Sequence, residues 1–130
     1  MSQPPEPLVS GLRQIALASE NPAKLADFYT RALGLETRFE TGGMIFMDAG
    51  AGVRLMIGPK QEGQAVGGDT VLYFEPLLWD MAERAVSAAG GQFLHEAVTL
   101  QRAEGRELKL RAFKDPEGHT LALLGWRAAA

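Results

Sequence analysis

The chain has 130 residues, 46% of them apolar and 22% charged, with a formal net charge of −3. That balance describes one folded domain with a core of ordinary size and excludes a disordered chain. The acidic balance argues against nucleic acid as a partner, and the absence of cysteine excludes disulfides, thiolate metal sites and cysteine nucleophiles.

The first nine residues are rich in proline (Pro4, Pro5, Pro7) and lack the charged and apolar regions of a signal peptide, so they read as a flexible lead. No apolar run approaches the roughly 20 residues of a membrane helix, and a cytoplasmic location is the default expectation. Gln14 to Ala18 reads as a short strand. Pro22 to Leu33 reads as an amphipathic helix with Leu25, Phe28, Tyr29, Ala32 and Leu33 on one face. Asn21 is a suitable N-cap, Pro22 suits the first helical position, and Gly34 supplies a left-handed stop. Glu36 to Thr41 reads as a further strand, and Gly42-Gly43 marks a turn. Met44 to Asp48 and Val53 to Ile57 form a hairpin across Ala49 to Gly52. Lys60 to Gly68 is a polar connection.

The pattern then repeats. Val71 to Glu75 reads as a strand. An amphipathic stretch from Leu77 to Ala89 follows Pro76, with Leu77, Leu78, Met81, Ala82, Ala85, Val86 and Ala89 as its apolar face, and it stops at Gly90-Gly91. Gln92 to Glu96, Glu107 to Phe113 and Thr120 to Trp126 are the following strands. Ala97 to Arg106 reads as a loop and a candidate lid. Trp79 is placed at an edge or a dimer contact. Gly34 and Gly91 stand 57 positions apart, as do Gln14 and Val71. A fixed internal period implies a duplicated supersecondary unit.

Asn21-Pro22, Asp27-Phe28-Tyr29 and Ala32-Leu33-Gly34-Leu35 resemble the "FY…vLGL" segment of the vicinal oxygen chelate superfamily, which includes glyoxalase I, bleomycin-resistance proteins and extradiol dioxygenases. Asp115-Pro116-Glu117-Gly118-His119 with Thr120-Leu121-Ala122-Leu123 resembles the "DPdGn.iEl" ending of the same superfamily. The resemblance covers roughly residues 12 to 126. It implies an α+β fold of two tandem βαβββ modules, 10–60 and 69–127, joined by a linker at 61–68. Together they would form one structural domain (10–127), a curved, cup-shaped mixed sheet with helices outside. It also implies a homodimer.

Metal-using members of that superfamily hold a divalent cation with His, Glu or Asp from four strands of the cup. The resemblance places those positions at Gln14, Arg54 (or Met56 in the alternative register), Val71 and Ala122. Gln14 offers only an amide oxygen, Arg54 is itself a cation, and Val71 and Ala122 are inert. A slip of one residue restores no donor. No metal and no other cofactor is therefore expected. His119, in the Asp-Pro-Glu-Gly turn, reads as structural, and His95 reads as a surface residue.

Strand alternation extends those positions to same-face neighbours. The ligand-binding residues expected are Gln14, Phe46, Asp48, Arg54, Met56, Tyr73, Glu75 and Trp126, a mostly apolar lining with a few polar groups. The competing reading places Met56, Tyr73 and Trp126 in core or dimer packing and turns Arg54 to water. An inward Arg54 would need a partner, either Glu75 or an acidic or carbonyl-bearing ligand. The expected function is binding of a small apolar or aromatic molecule without catalysis, on the model of bleomycin-resistance proteins. The alternative is an enzyme of the superfamily (lyase, isomerase or dioxygenase) with a relocated or absent metal, using Asp48, Glu75 and His95 as acid–base groups.

Overall fold

A computed structural model of the chain describes residues 3–129. The first module runs β1 (Gln14–Ser19), α1 (Pro22–Leu33), β2 (Glu36–Thr41), β3 (Met44–Asp48) and β4 (Arg54–Pro59). Helix α1 starts because the Asn21 side chain accepts the Lys24 N–H at 3.2 Å and Pro22 fills the first turn. It ends because Gly34 takes a left-handed φ of 74°, a conformation a side chain would resist. The strands lie in the order β1-β4-β3-β2, with β1 parallel to β4 and the remaining pairs antiparallel.

The second module repeats this plan: β5 (Val71–Phe74), α2 (Trp79–Ala89), β6 (Gln92–Phe93), β7 (Val98–Ala103), β8 (Arg106–Lys114) and β9 (Thr120–Ala128). Its sheet runs β5-β9-β8, with both β6 and β7 on the far side of β8. Strand β5 is parallel to β9, as β1 is to β4. The first strands of the two modules begin 57 positions apart, at Gln14 and Val71, so the repeat read in the sequence is a structural one. The result is the α+β fold expected, built as two mixed, unclosed sheets of four and five strands with the helices outside.

Four local expectations need correction. Ala97 to Arg106 is not a loop or a lid: Val98–Ala103 is a strand hydrogen-bonded along β8. A register shift between Thr99 and Gln101 disrupts its alternation, which hides an edge strand from a period-two reading. Helix α2 begins at Trp79, so Leu77 and Leu78 precede it and are exposed, and Met81 is exposed as well. Trp79 is not at an edge. It is 8% exposed and packs in the core with Val86, Phe113, Leu121 and Leu123. The strand expected at Gln92 to Glu96 shortens to Gln92–Phe93.

One continuous core joins the modules. Leu25, Phe28, Tyr29 and Ala32 of α1 pack with Ile45, Met47, Leu55 and Ile57 of the first sheet and with the Trp79 cluster of the second. The helices lie against each other, and Gly91, just past α2, packs against side chains of both. A Cβ there would stand 2.6 Å from Val86 Cγ1 and 3.2 Å from Phe28 Cζ. Among the described residues no helix is long and apolar enough to cross a membrane.

Candidate functional site

Because strand neighbours alternate faces, the buried set fixes the other face as well. Leu55 and Ile57 point to the helices, so Arg54 and Met56 point away, and the register carries this across the sheet. Gln14 lies beside Arg54, Ala16 beside Met56, Phe46 beside Met56, and Asp48 beside Arg54. In the second sheet Tyr73 lies beside Ala122 and Trp126 beside Leu108, opposite the face that carries Leu121 and Leu123. Seven of the eight residues singled out in the sequence thus lie on the faces turned away from the helices.

Glu75 is the exception. Strand β5 ends at Phe74, and Glu75 lines a groove on the helix side with Leu33, Pro76, Leu77 and Met81. Among the described residues it forms no ion pair with Arg54.

Arg54 lies instead over two aromatic rings. Phe39 and Phe46 stack with centroids 4.5 Å apart and 14° between planes. The Arg54 guanidinium carbon sits 5.4 Å from the Phe46 centroid and 5.9 Å from that of Phe39, within the range of a cation–π contact. Gln14 Nε2 is 3.9 Å from Met56 Sδ, a weak contact that leaves its amide oxygen free of any protein donor among the described residues. Asp48 accepts from Arg38 at 2.6 Å and from the Gly50 N–H at 2.8 Å. The Arg38 bond, with the Gly50 amide, holds its carboxyl below the usual range, so it is a fixed anion. In the second sheet the Arg106 guanidinium lies 4.9 Å from the Trp126 ring centroid. Phe39, Arg38 and Arg106 were missed in the sequence. The signal that could have found Phe39 is its opposition to Phe46 across the Gly42-Gly43 turn.

These faces are open. Phe39, Tyr73, Val98 and Trp126 are 45%, 57%, 46% and 38% exposed, an unusual amount of large apolar surface for one side of a small domain.

The two histidines are both engaged in hydrogen bonds. His95 Nδ1 lies 2.7 Å from the Glu96 carbonyl and its Nε2 accepts the Ala112 N–H at 3.2 Å, so its ring ties the segment before β7 to β8. His119 is buried between the modules, with Nδ1 2.7 Å from Asp115 Oδ2 and Nε2 2.9 Å from the Ala18 carbonyl. This is the structural role expected for it. Burial works against charge on both members of this pair, but hydrogen bonding outweighs it: His119 is raised and Asp115 is lowered from their ordinary values.

A metal does not fit the superfamily's chelate positions in this chain. Gln14, Arg54, Val71 and Ala122 stand on the faces away from the helices, where they offer one amide oxygen, one fixed cation and two hydrocarbon side chains. Among the described residues no group of three or more His, Cys, Asp or Glu is arranged to hold a metal ion.

Two units of this kind, each a strand and a helix followed by strands of which the last is parallel to the first, define a class, and direct comparison agrees with it. The model of the Glyoxalase/Bleomycin resistance protein/Dioxygenase superfamily matches residues 11–123, and the chain belongs to that superfamily. Among solved structures it is similar to a glyoxalase-related enzyme from Fulvimarina pelagi, at 21% identity over 94% of this chain and 100% of that one, with a TM-score of 0.72. It is similar also to a superfamily member from Sphaerobacter thermophilus (18% identity, 91% and 98% covered, TM-score 0.73). A third is a lactoylglutathione lyase from Agrobacterium tumefaciens (16% identity, 92% and 96% covered, TM-score 0.66). At these identities the likeness is one of fold. No curated protein matches the chain significantly.

Proposed function

We propose that this protein is a metal-free binding member of its superfamily, which takes a small aromatic molecule on the faces turned away from the helices and does no chemistry on it. The observation that carries the reading is Arg54. At a position where metal-using relatives place a ligand, this chain places a guanidinium over the stacked Phe39 and Phe46 rings, beside the free amide oxygen of Gln14. A ring can add to that stack while a carboxylate or carbonyl on it meets the guanidinium. Met56 and Asp48 border this spot, and Tyr73 and Trp126 supply apolar area on the second sheet.

The open apolar faces also support a homodimer in which a second copy covers them and turns each shallow face into a cup. The enzyme alternative draws no support from the geometry. Asp48 is bound by Arg38, Glu75 lies on the helix side, and both ring nitrogens of His95 are engaged.

The test is a thermal-shift panel of aromatic compounds, each with and without a carboxylate. Aromatic carboxylates should raise Tm, and the shift should shrink in Arg54→Ala. A panel in which no aromatic compound moves Tm overturns the reading.

A further inference from the structure

The junction between the modules holds a buried titratable pair that ligand binding does not use. Asp115, in the turn between β8 and β9, has all of its acceptor sites filled. Its Oδ1 takes the N–H groups of Glu117 at 2.9 Å and His119 at 3.0 Å, and its Oδ2 faces the Tyr29 hydroxyl at 2.8 Å and His119 Nδ1 at 2.7 Å. A carboxylate with four donors around it is an anion with no room for a proton of its own. The other ring nitrogen, Nε2, faces the Ala18 carbonyl of β1, which can only accept. Both nitrogens of His119 therefore face acceptors, and both contacts are satisfied at once only if both carry hydrogen.

We propose that His119 is held as an imidazolium and acts as a pH-sensitive latch that fastens the second module to the first strand of the first module. The bond crosses 101 positions of sequence. Deprotonation must break one of the two contacts, because a neutral ring donates from one nitrogen only. If Nδ1 keeps the proton, the tie to Ala18 is lost and two lone pairs face each other across the seam.

The acidic groups around the ring favour the cation against its burial. Asp115 is in direct contact. Glu117 sits in the same turn, where it accepts from Ser19 Oγ and the Glu20 N–H, both at 2.5 Å. Tyr29 of α1 is neutral, its ionisation suppressed by burial and by Asp115. Asp69 of the connection between modules lines the same cleft as His119. Lys114, a nearby cation, turns its Nζ to Gly118 O at 3.3 Å and Thr120 Oγ1 at 2.6 Å, and Lys24 of α1 lines a pocket with Glu117. That cleft, about 390 Å³ between β1 and β5, gives water a route to the latch.

The sign follows from the direction of the shift. A histidine raised in the folded state contributes stability that is full below its unfolded value, near 6.5, and fades as pH rises through the folded value. The denaturant midpoint of the wild-type chain should therefore fall between pH 6 and pH 9. In His119→Asn, which carries no titrating ring, the midpoint should start lower and stay flat across that interval. Parallel pH curves for the two proteins overturn the proposal. Should His119→Asn fail to fold, nitrogen NMR of the wild-type imidazole decides. Two protonated ring nitrogens at pH 7 support the latch, and one bare nitrogen at that pH overturns it.

Discussion

The Tyr29 hydroxyl donates to the Asp115 carboxylate at 2.8 Å, joining the first helix to the last turn across 86 positions of sequence. Tyr29 belongs to the Phe-Tyr pair and Asp115 to the Asp-Pro turn, so the two motifs most legible in the sequence meet in one buried bond. Tyr29→Phe keeps the ring and removes one of the carboxylate's four donors. It should cost about 1 to 3 kcal/mol in chemical denaturation, since a charged acceptor is left short of a partner. A loss below about 0.5 kcal/mol would show that water replaces the hydroxyl.

Asp115 sets the acid limit of the same junction. Burial alone would raise its carboxyl, but hydrogen bonds from His119 and Tyr29 lower it below the usual value near 3.9. Its contribution is present above that value and lost as pH falls through the lowered one. A pH titration of thermal stability should therefore hold near pH 5 and drop below about 4. In Asp115→Asn the acid limb should be shallower, and an unchanged limb would assign it to other carboxylates.

Gly91 is needed for space. Its φ is not in the left-handed region, yet a methyl group there would press on Val86 Cγ1 at 2.6 Å and on Phe28. Gly91→Ala should destabilise by about 1 to 3 kcal/mol, the range for overpacking. Combining it with Val86→Ala should cost less than the two single losses added together. Simple additivity would mean that the helices part without strain.

Trp79 is buried with its indole N–H unpaired among the described residues. Trp79→Phe removes that orphan donor while keeping most of the apolar volume, so it should cost far less than Trp79→Ala, for which about 3 to 5 kcal/mol is expected. Equal losses for the two variants, measured by denaturation, would show that the indole N–H has a partner.

The proposed homodimer would place opposite demands on two exposed apolar sites. Tyr73 lies on the open sheet face, whereas Leu77, fully exposed, lies on the helix side. Light scattering should find Tyr73→Glu shifted toward monomer and Leu77→Glu unchanged. The reverse pattern would move the interface to the helices.

What the sequence revealed follows from how local each signal is. The bounds of α1, its Asn21 cap and its Gly34 stop depend on near neighbours, and the structure reproduces them. The face carrying Gln14, Arg54, Met56, Tyr73 and Trp126 was readable because β1, β4, β5 and β9 pair without a register shift. Two features depended on distant parts of the chain, and a third on where a helix starts. The bulge in β7 exists only against β8, which is why Val98–Ala103 looked like a loop. Trp79 is buried because Phe113 and Leu121 converge on it from elsewhere in the chain. Leu77 and Leu78 fit a helical apolar stripe, but the helix begins only after them. Within the candidate site, Glu75 was lost because β5 ends one residue before it. Phe39 was missed because its value lies in the stack with Phe46.

The central claim is that Arg54 and its neighbours replace a metal. Calorimetric titration of untagged protein with nickel, zinc and manganese tests it most directly. The account predicts no stoichiometric binding event for any of the three. One tightly held equivalent per chain would contradict it.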